Sequence, residues 1–207
     1  MTQILYPPYH FSTSPPPLSK GLLLKPILCQ SDKAQGRFTF QGAVYFGGGL
    51  SLQGSLGVVC QIDTPGIYEV TVPFLATGRV DIFALGMPLS VRQGIRLPLS
   101  IAASEVFLVG IVEDPNGQII GSSTLRLIQQ NSGGSTPSLF PTPSFFSSSS
   151  PSLSIPNCLF QSRGLTYISV DIQVRLRAAG IAFSRIDFAS SGGNGIDVPF
   201  IKVAPTP

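Results

Sequence analysis

Apolar and polar residues alternate along much of this chain with a period of two. Tyr68, Val70 and Val72 interleave with Glu69 and Thr71. Ile168, Val170, Ile172, Val174 and Leu176 interleave with Ser169, Asp171, Gln173, Arg175 and Arg177. A period of two puts each apolar set on one face of a strand, whereas a helical period would scatter it around a cylinder. Shorter β-rich runs flank these two: Arg37-Phe38-Thr39-Phe40, Val44-Tyr45-Phe46, Val80 to Leu85, Ser104 to Val112, Gln118 to Ile128, Ile181 to Phe188 and Ile196 to Val203. No stretch carries the pattern of an amphipathic helix.

Turn signals punctuate the runs. Asp63-Thr64-Pro65-Gly66 precedes the Tyr68 strand, and Asp114-Pro115-Asn116-Gly117 joins two β-rich runs as a hairpin. Gly47-Gly48-Gly49 reads as a flexible hairpin turn, and Ser190 to Gly195 as a loop. Short strands with turns at roughly ten-residue spacing predict an all-β fold, an antiparallel β-sandwich of jelly-roll or immunoglobulin-like type.

The pattern also divides the chain. Residues 1–19 hold five prolines and no formal charge and read as an extended arm, because proline blocks helix and central-strand pairing. Residues 20–130 form the β-sandwich domain. Residues 131–156 hold ten Ser and five Pro without a charge, the composition of a linker. Residues 157–207 form a small β domain, expected to lean on the first or on another copy of the chain.

The nine residues Thr64 to Val72, with Pro65-Gly66 before Tyr68, Val70 and Val72, resemble a turn-plus-strand of two kinds of β-sandwich. One is the PGxYxVxV strand of immunoglobulin-like modules, which implies a surface or adhesive module. The other is the PGxYxF strand of the trimeric jelly rolls related to tumour necrosis factor and C1q, which implies a homotrimer.

Composition narrows the chemistry. Charged residues are 11% of 207, with 13 Lys and Arg against 10 Asp and Glu, a net charge of +3. That is too weak for affinity resting on nucleic-acid phosphates. At 43% apolar the chain is not of the disordered class. One histidine, His10, leaves no HExxH metal site, and Cys29, Cys60 and Cys158 cannot supply four zinc ligands. The cysteines read as small buried hydrophobes, with a Cys29–Cys60 disulfide open in an oxidising compartment. There is no phosphate loop, and no GxSxG elbow surrounds a serine. Catalytic, cofactor and metal residues are therefore expected to be none. Asp171, Asp187 and Asp197, the only acids of residues 157–207, are the candidates for a hydrolase of the acid-pair kind.

The candidate partner-binding residues are aromatic and basic. Tyr6, Tyr9 and Phe11 tag the arm, with His10 between two rings, and Phe140, Phe145 and Phe146 tag the linker. Arg175 and Arg177 share the polar face of their strand with Asp171 and Gln173, a solvated or interfacial face. Extended segments with aromatic anchors are suited to lacing a subunit into an assembly. The missing charge concentrates in 1–19, 38–62 and 127–162, as expected where subunits desolvate each other.

No signal peptide or transmembrane segment is expected. The leading expectation is a non-enzymatic structural protein of a virus or bacteriophage particle, assembled in the host cytoplasm. It would be a capsid-associated cement or decoration subunit, or a tail-assembly subunit, with copies of itself and other structural proteins as partners. The alternative is a surface adhesin or carbohydrate-binding β-sandwich module, though with no Trp and only five Tyr the chain is poor in residues for an aromatic sugar platform.

Overall fold

The computed structural model describes residues 1–84, 100–133, 142–148, 151–189 and 194–206, with side chains described for all of these but 22–26, 132–133 and 142–148. Fourteen strands are seen among them and no helix, so no helix there is long and apolar enough to cross a membrane. In chain order they are β1 (Gln3–Leu5), β2 (Phe11–Thr13), β3 (Leu18–Asp32), β4 (Arg37–Ile62), β5 (Gly66–Pro73), β6 (Leu75–Ala84) and β7 (Ile101–Glu113). There follow β8 (Ile119–Gly133), β9 (Thr142–Ser148), β10 (Ser152–Phe160), β11 (Gly164–Ala179), β12 (Ala182–Asp187), β13 (Gly195–Asp197) and β14 (Ile201–Pro205).

The strands pair antiparallel in two sheets. The smaller has the order β1-β14-β5-β10. The larger runs β12-β6-β13-β4-β11-β7-β8, with β2 and β3 also paired to β4 and β9 to β6. The alternation read from sequence is the alternation of burial. Val70 and Val72 of β5, Leu153 and Ile155 of β10 and Val203 of β14 are buried against Ile168, Val170 and Ile172 of β11 and Val106 and Leu108 of β7. The result is an antiparallel β-sandwich with one apolar core between its sheets. The sheets meet closely at Gly110 of β7, where a Cβ would stand 2.6 Å from the Ile155 side chain.

The Asp114 hairpin forms as expected between β7 and β8. Gly117 takes a φ of +80° and its N–H donates to the Asp114 carbonyl, while the Asp114 carboxylate accepts from the N–H groups of Asn116 and Gln118. These bonds, Gln118 first, hold the Asp114 carboxyl below the usual carboxylate range.

Three expectations are corrected. Gly47-Gly48-Gly49 is not a hairpin turn, because the 26-residue β4 continues through it. Phe46 and Gly47 take φ values of +46° and +97°, and the strand bends there without reversing. Before the bend β4 pairs with β12, and after it with β11. Residues 157–207 do not make a sheet of their own: β11 inserts between β4 and β7, and their apolar faces join the common core. The reason is that each strand has two edges to satisfy, and the long β4, uncharged beyond Arg37, offers an open one. Nor are residues 131–156 only a linker, since β9 pairs with β6 and β10 with β5. The three cysteines are free thiols, pushed up to about 11 by burial, so Cys29 and Cys60 do not pair.

Candidate functional site

The smaller sheet covers one face of the larger. The opposite face carries the polar half of the alternating patterns of β4 and β11, while β7 adds Glu105 and Glu113 beside the half-buried Phe107, Val109 and Ile111. On β11 the polar half is Tyr167, Asp171, Gln173, Arg175 and Arg177, all half-buried or exposed. The antiparallel register sets Ser55 of β4 beside Asp171, Gln53 beside Gln173, Ser51 beside Arg175 and Gly49 beside Arg177. On the other flank β7 sets Glu113 beside Tyr167, Phe107 beside Gln173 and Glu105 beside Arg175.

Two adjoining grooves lie along this face. The first, of about 370 Å³, is lined by Thr13, Gln53, Ser55, Glu113, Tyr167, Asp171 and Gln173 among others. The Ser55 hydroxyl donates to the Asp171 carboxylate at 2.5 Å. Burial raises the Asp171 pKa, and the Ser55 hydrogen bond opposes that rise without cancelling it. The Tyr167 hydroxyl is raised as well, by burial first and then by the Glu113 and Asp171 carboxylates. At the head of the groove the Tyr167 ring stacks on Phe11 at 4.4 Å and 11°. The Phe11 ring lies on Gly57, where a Cβ would sit 1.5 Å from its edge, so only glycine at 57 admits it. The second groove, of about 470 Å³, is lined by Leu18, Lys20, Gly49, Ser51, Arg175 and Arg177 among others.

The residues singled out from sequence are dispersed. Tyr6 is exposed and its ring leans on Phe200 at 5.9 Å. Tyr9 is buried, and its hydroxyl donates to the Val198 carbonyl at 2.8 Å. Burial raises the Tyr9 pKa above the usual tyrosine range. The backbone N–H of His10 donates to the Gly57 carbonyl, and its Nδ1 accepts from the Val59 N–H at 3.0 Å. The arm therefore docks on its own chain, because β1 and β2 find open partners in β14 and β4. Phe140 lies outside the described residues. Phe145 and Phe146 stand in β9 opposite Arg79 and Gly78, and their side chains lie outside the described set. Arg175 and Arg177 come together on the second groove, with Arg175 also over the Phe107 ring at 5.5 Å.

The three candidate acids do not meet. Asp197 pairs with Arg37 at 2.6 Å, whose own pKa that bond raises, and Asp187 pairs with Arg185 at 3.3 Å while accepting from Gln41. Asp171 keeps Ser55 instead. Sequence reasoning missed Tyr167, which shares the parity of Asp171 on β11 and was legible there. It also missed Lys20, Gln53 and Glu113, which no local pattern marks and only the strand register brings in. Among the described residues no group of three or more His, Cys, Asp or Glu is placed to hold a metal ion.

No family model matches the chain, and no curated protein matches it. Among solved structures it is similar to the carbohydrate-binding module TmCBM61 in complex with β-1,4-galactotriose, at 12% identity and a TM-score of 0.27, over 80% of this chain and 69% of that one. It is similar to the enzymatically active domain of tailspike protein 4 of bacteriophage CBA120 at 7% identity and a TM-score of 0.27, over 90% of this chain but 19% of that one. A family 11 carbohydrate-binding module of a Clostridium thermocellum cellulase aligns over 100% of this chain and 95% of that one, at 10% identity and a TM-score of 0.20. At such identities and scores, what those proteins bind or cleave does not transfer to this chain.

Proposed function

We propose that the chain is a non-catalytic binding module that holds a hydroxyl-rich ligand, a glycan, in the first groove of its larger sheet. The observation that carries this reading is the groove's lining of amide, hydroxyl and carboxylate groups on three rigid neighbouring strands. Gln53 and Gln173 each offer a donor and an acceptor, Ser55 and Thr13 a hydroxyl, and Asp171 and Glu113 acceptors. Sugar hydroxyls ask for that mixture of donors and acceptors. The strands fix it in place before the ligand arrives, which reduces the ordering cost of binding. The test is a glycan array followed by calorimetry on the full chain. Saturable binding is expected, weakened at least tenfold by Gln173→Ala. Release of reducing ends from a bound glycan would replace this reading with a hydrolase drawing on Asp171 and Glu113.

A second reading is the structural subunit of a virus or phage particle. One observation favours it: β8, the last strand of the larger sheet among the described residues, carries one charge, Arg126, in fifteen residues. Edge strands of monomers are commonly guarded by more charge than this, and an unguarded edge can add a strand from a neighbour. The arm and β9, which argued for this reading from sequence, are paired within the chain. Light scattering that gives a monomer at every concentration, with no binding to particles, would remove it.

A further inference from the structure

The second groove differs in charge from the first. Its lining includes Lys20, Arg175 and Arg177 and no carboxylate. Lys20 of β3 stands opposite Gly49 of β4, and Gly49 stands opposite Arg177 of β11, so the three form one row across three strands. Two interstrand steps separate the Lys20 and Arg177 backbone positions by about 10 Å. Gly49 between them bears no side chain, and a Cβ placed there would meet only the Leu176 carbonyl, at 3.8 Å. An open seat thus lies between two cations, with Ser51 and Arg175 in the next row.

The seat is built by backbone geometry. The register of β3 on β4 shifts between Lys20 and Leu22. Gly21 there takes a φ of +80° and sits so close to β4 that a Cβ would stand 2.8 Å from the Gly47 carbonyl oxygen. This bulge fixes where Lys20 emerges. Lys20, Arg175 and Arg177 form no ion pair among the described residues. Arg126 and Arg175 both lie over the Phe107 ring at 5.5 Å, which adds a fourth cation to this end. Glu105, opposite Arg175 on β7, is the carboxylate that faces them.

We infer that this seat recognises the anionic substituent of an acidic polysaccharide, while the adjoining first groove, whose Asp171 stands roughly 20 Å from Arg177 along β11, takes its neutral portion. The inference rests on the glycan reading. Two cations with an open floor between them fit one carboxylate or sulfate group, which accepts from both sides. The Asp171 and Glu113 carboxylates at the far end repel that group, so the ligand lies in one direction.

The test compares the affinity of the full chain for dextran, polygalacturonate and dextran sulfate, with a DNA duplex as competitor. The acidic polymers are expected to bind at least tenfold more tightly than dextran. In the Lys20→Gln/Arg177→Gln variant that ratio falls toward one. A carboxylate seat prefers polygalacturonate and a sulfate seat prefers dextran sulfate, and either preference supports the inference. Both charges are exposed, so an unchanged melting temperature serves as the control for folding. Equal affinity for dextran and the acidic polymers overturns this inference alone. Equal competition by DNA overturns it too, by showing an unspecific polyanion surface. Failure of every polysaccharide to bind overturns the glycan reading with it.

Discussion

The two faces of β11 have the same backbone and opposite fates. On the inner face Ile168, Val170, Ile172, Val174, Leu176 and Ala178 are all buried against the smaller sheet or its neighbours. On the outer face Asp171 and Gln173 are half-buried, Arg175 and Arg177 are exposed, and among these the buried proportion falls along the strand. The inner face is chosen for volume and apolarity, and its energy comes from water released on folding. The outer face is chosen for donors, acceptors and charge, and contributes little to folding. A sheet that must be stable and also bind a polar ligand can therefore separate the two demands by residue parity.

The comparison is broken most severely from the inside. Ile168→Ala removes a fully buried side chain at the centre of the sandwich. It is expected to cost about 2–5 kcal/mol, through lost transfer energy and the cavity left behind. Chemical denaturation reads this directly. A loss below 1 kcal/mol would mean that the sheets close over the gap, and that the inner face is less tightly specified than its burial implies.

The outer face is not uniformly indifferent. At its head, Phe11 lies on Gly57 and against Tyr167, an apolar contact beside the polar side chains of β4 and β11. Gly57→Ala forces the ring off its seat and is expected to cost about 1–3 kcal/mol, the usual range for overpacking. Because Phe11 belongs to β2, the loss appears first as protease sensitivity of residues 1–13. An unchanged cleavage pattern with an unchanged midpoint would show that the stack contributes nothing.

The N-terminal arm can be probed separately. Tyr9→Phe deletes the hydroxyl that donates to the Val198 carbonyl and keeps the buried ring. The expected cost is about 0.5–1.5 kcal/mol, the net worth of one hydrogen bond. A cost near zero would mean that water replaces the hydroxyl, and that the arm is held by its ring and strand pairings alone.

How much of this was legible beforehand follows parity and register. The alternation of Ile168 to Leu176 contained the buried face, and the Asp114-Pro115-Asn116-Gly117 turn contained the hairpin. Both are local, and a local pattern suffices for each. Strand order is not local. Nothing near Lys20 or Glu113 says that β3, β4, β11 and β7 will lie side by side, so half of each groove was invisible. The glycines at 47–49 were misread because their composition suits a turn and a bend equally. Only the long β4 partners decide between them. Tyr9 was misread for the opposite reason: prolines bias a segment against helix and central-strand pairing, but they exclude neither the short pairings of β1 and β2 nor burial.

The smallest effect is also the one whose sign tests the comparison. Asp171 stands on the outer face and yet is desolvated enough for its pKa to be raised above the ordinary value of about 3.9. A raised value in the folded chain means that the native state holds this proton more tightly than the unfolded state. The native state is therefore favoured by protonation, and stability attributable to Asp171 falls as pH rises from below 3.9 through the raised folded value. Above that value the ionised group is a constant small penalty. Asp171→Asn keeps an acceptor for the Ser55 hydroxyl and removes the charge. Its melting temperature is expected to exceed that of the parent chain at pH 7 by a few degrees at most. The gap should shrink as pH falls toward 4 and close near pH 3, where Asp171 is protonated in both states. Thermal melts from pH 3 to 8 measure it. A variant less stable at pH 7 would show that the charged hydrogen bond from Ser55 outweighs burial, and that the groove is held for its carboxylate as firmly as the inner face is held for its methyl groups.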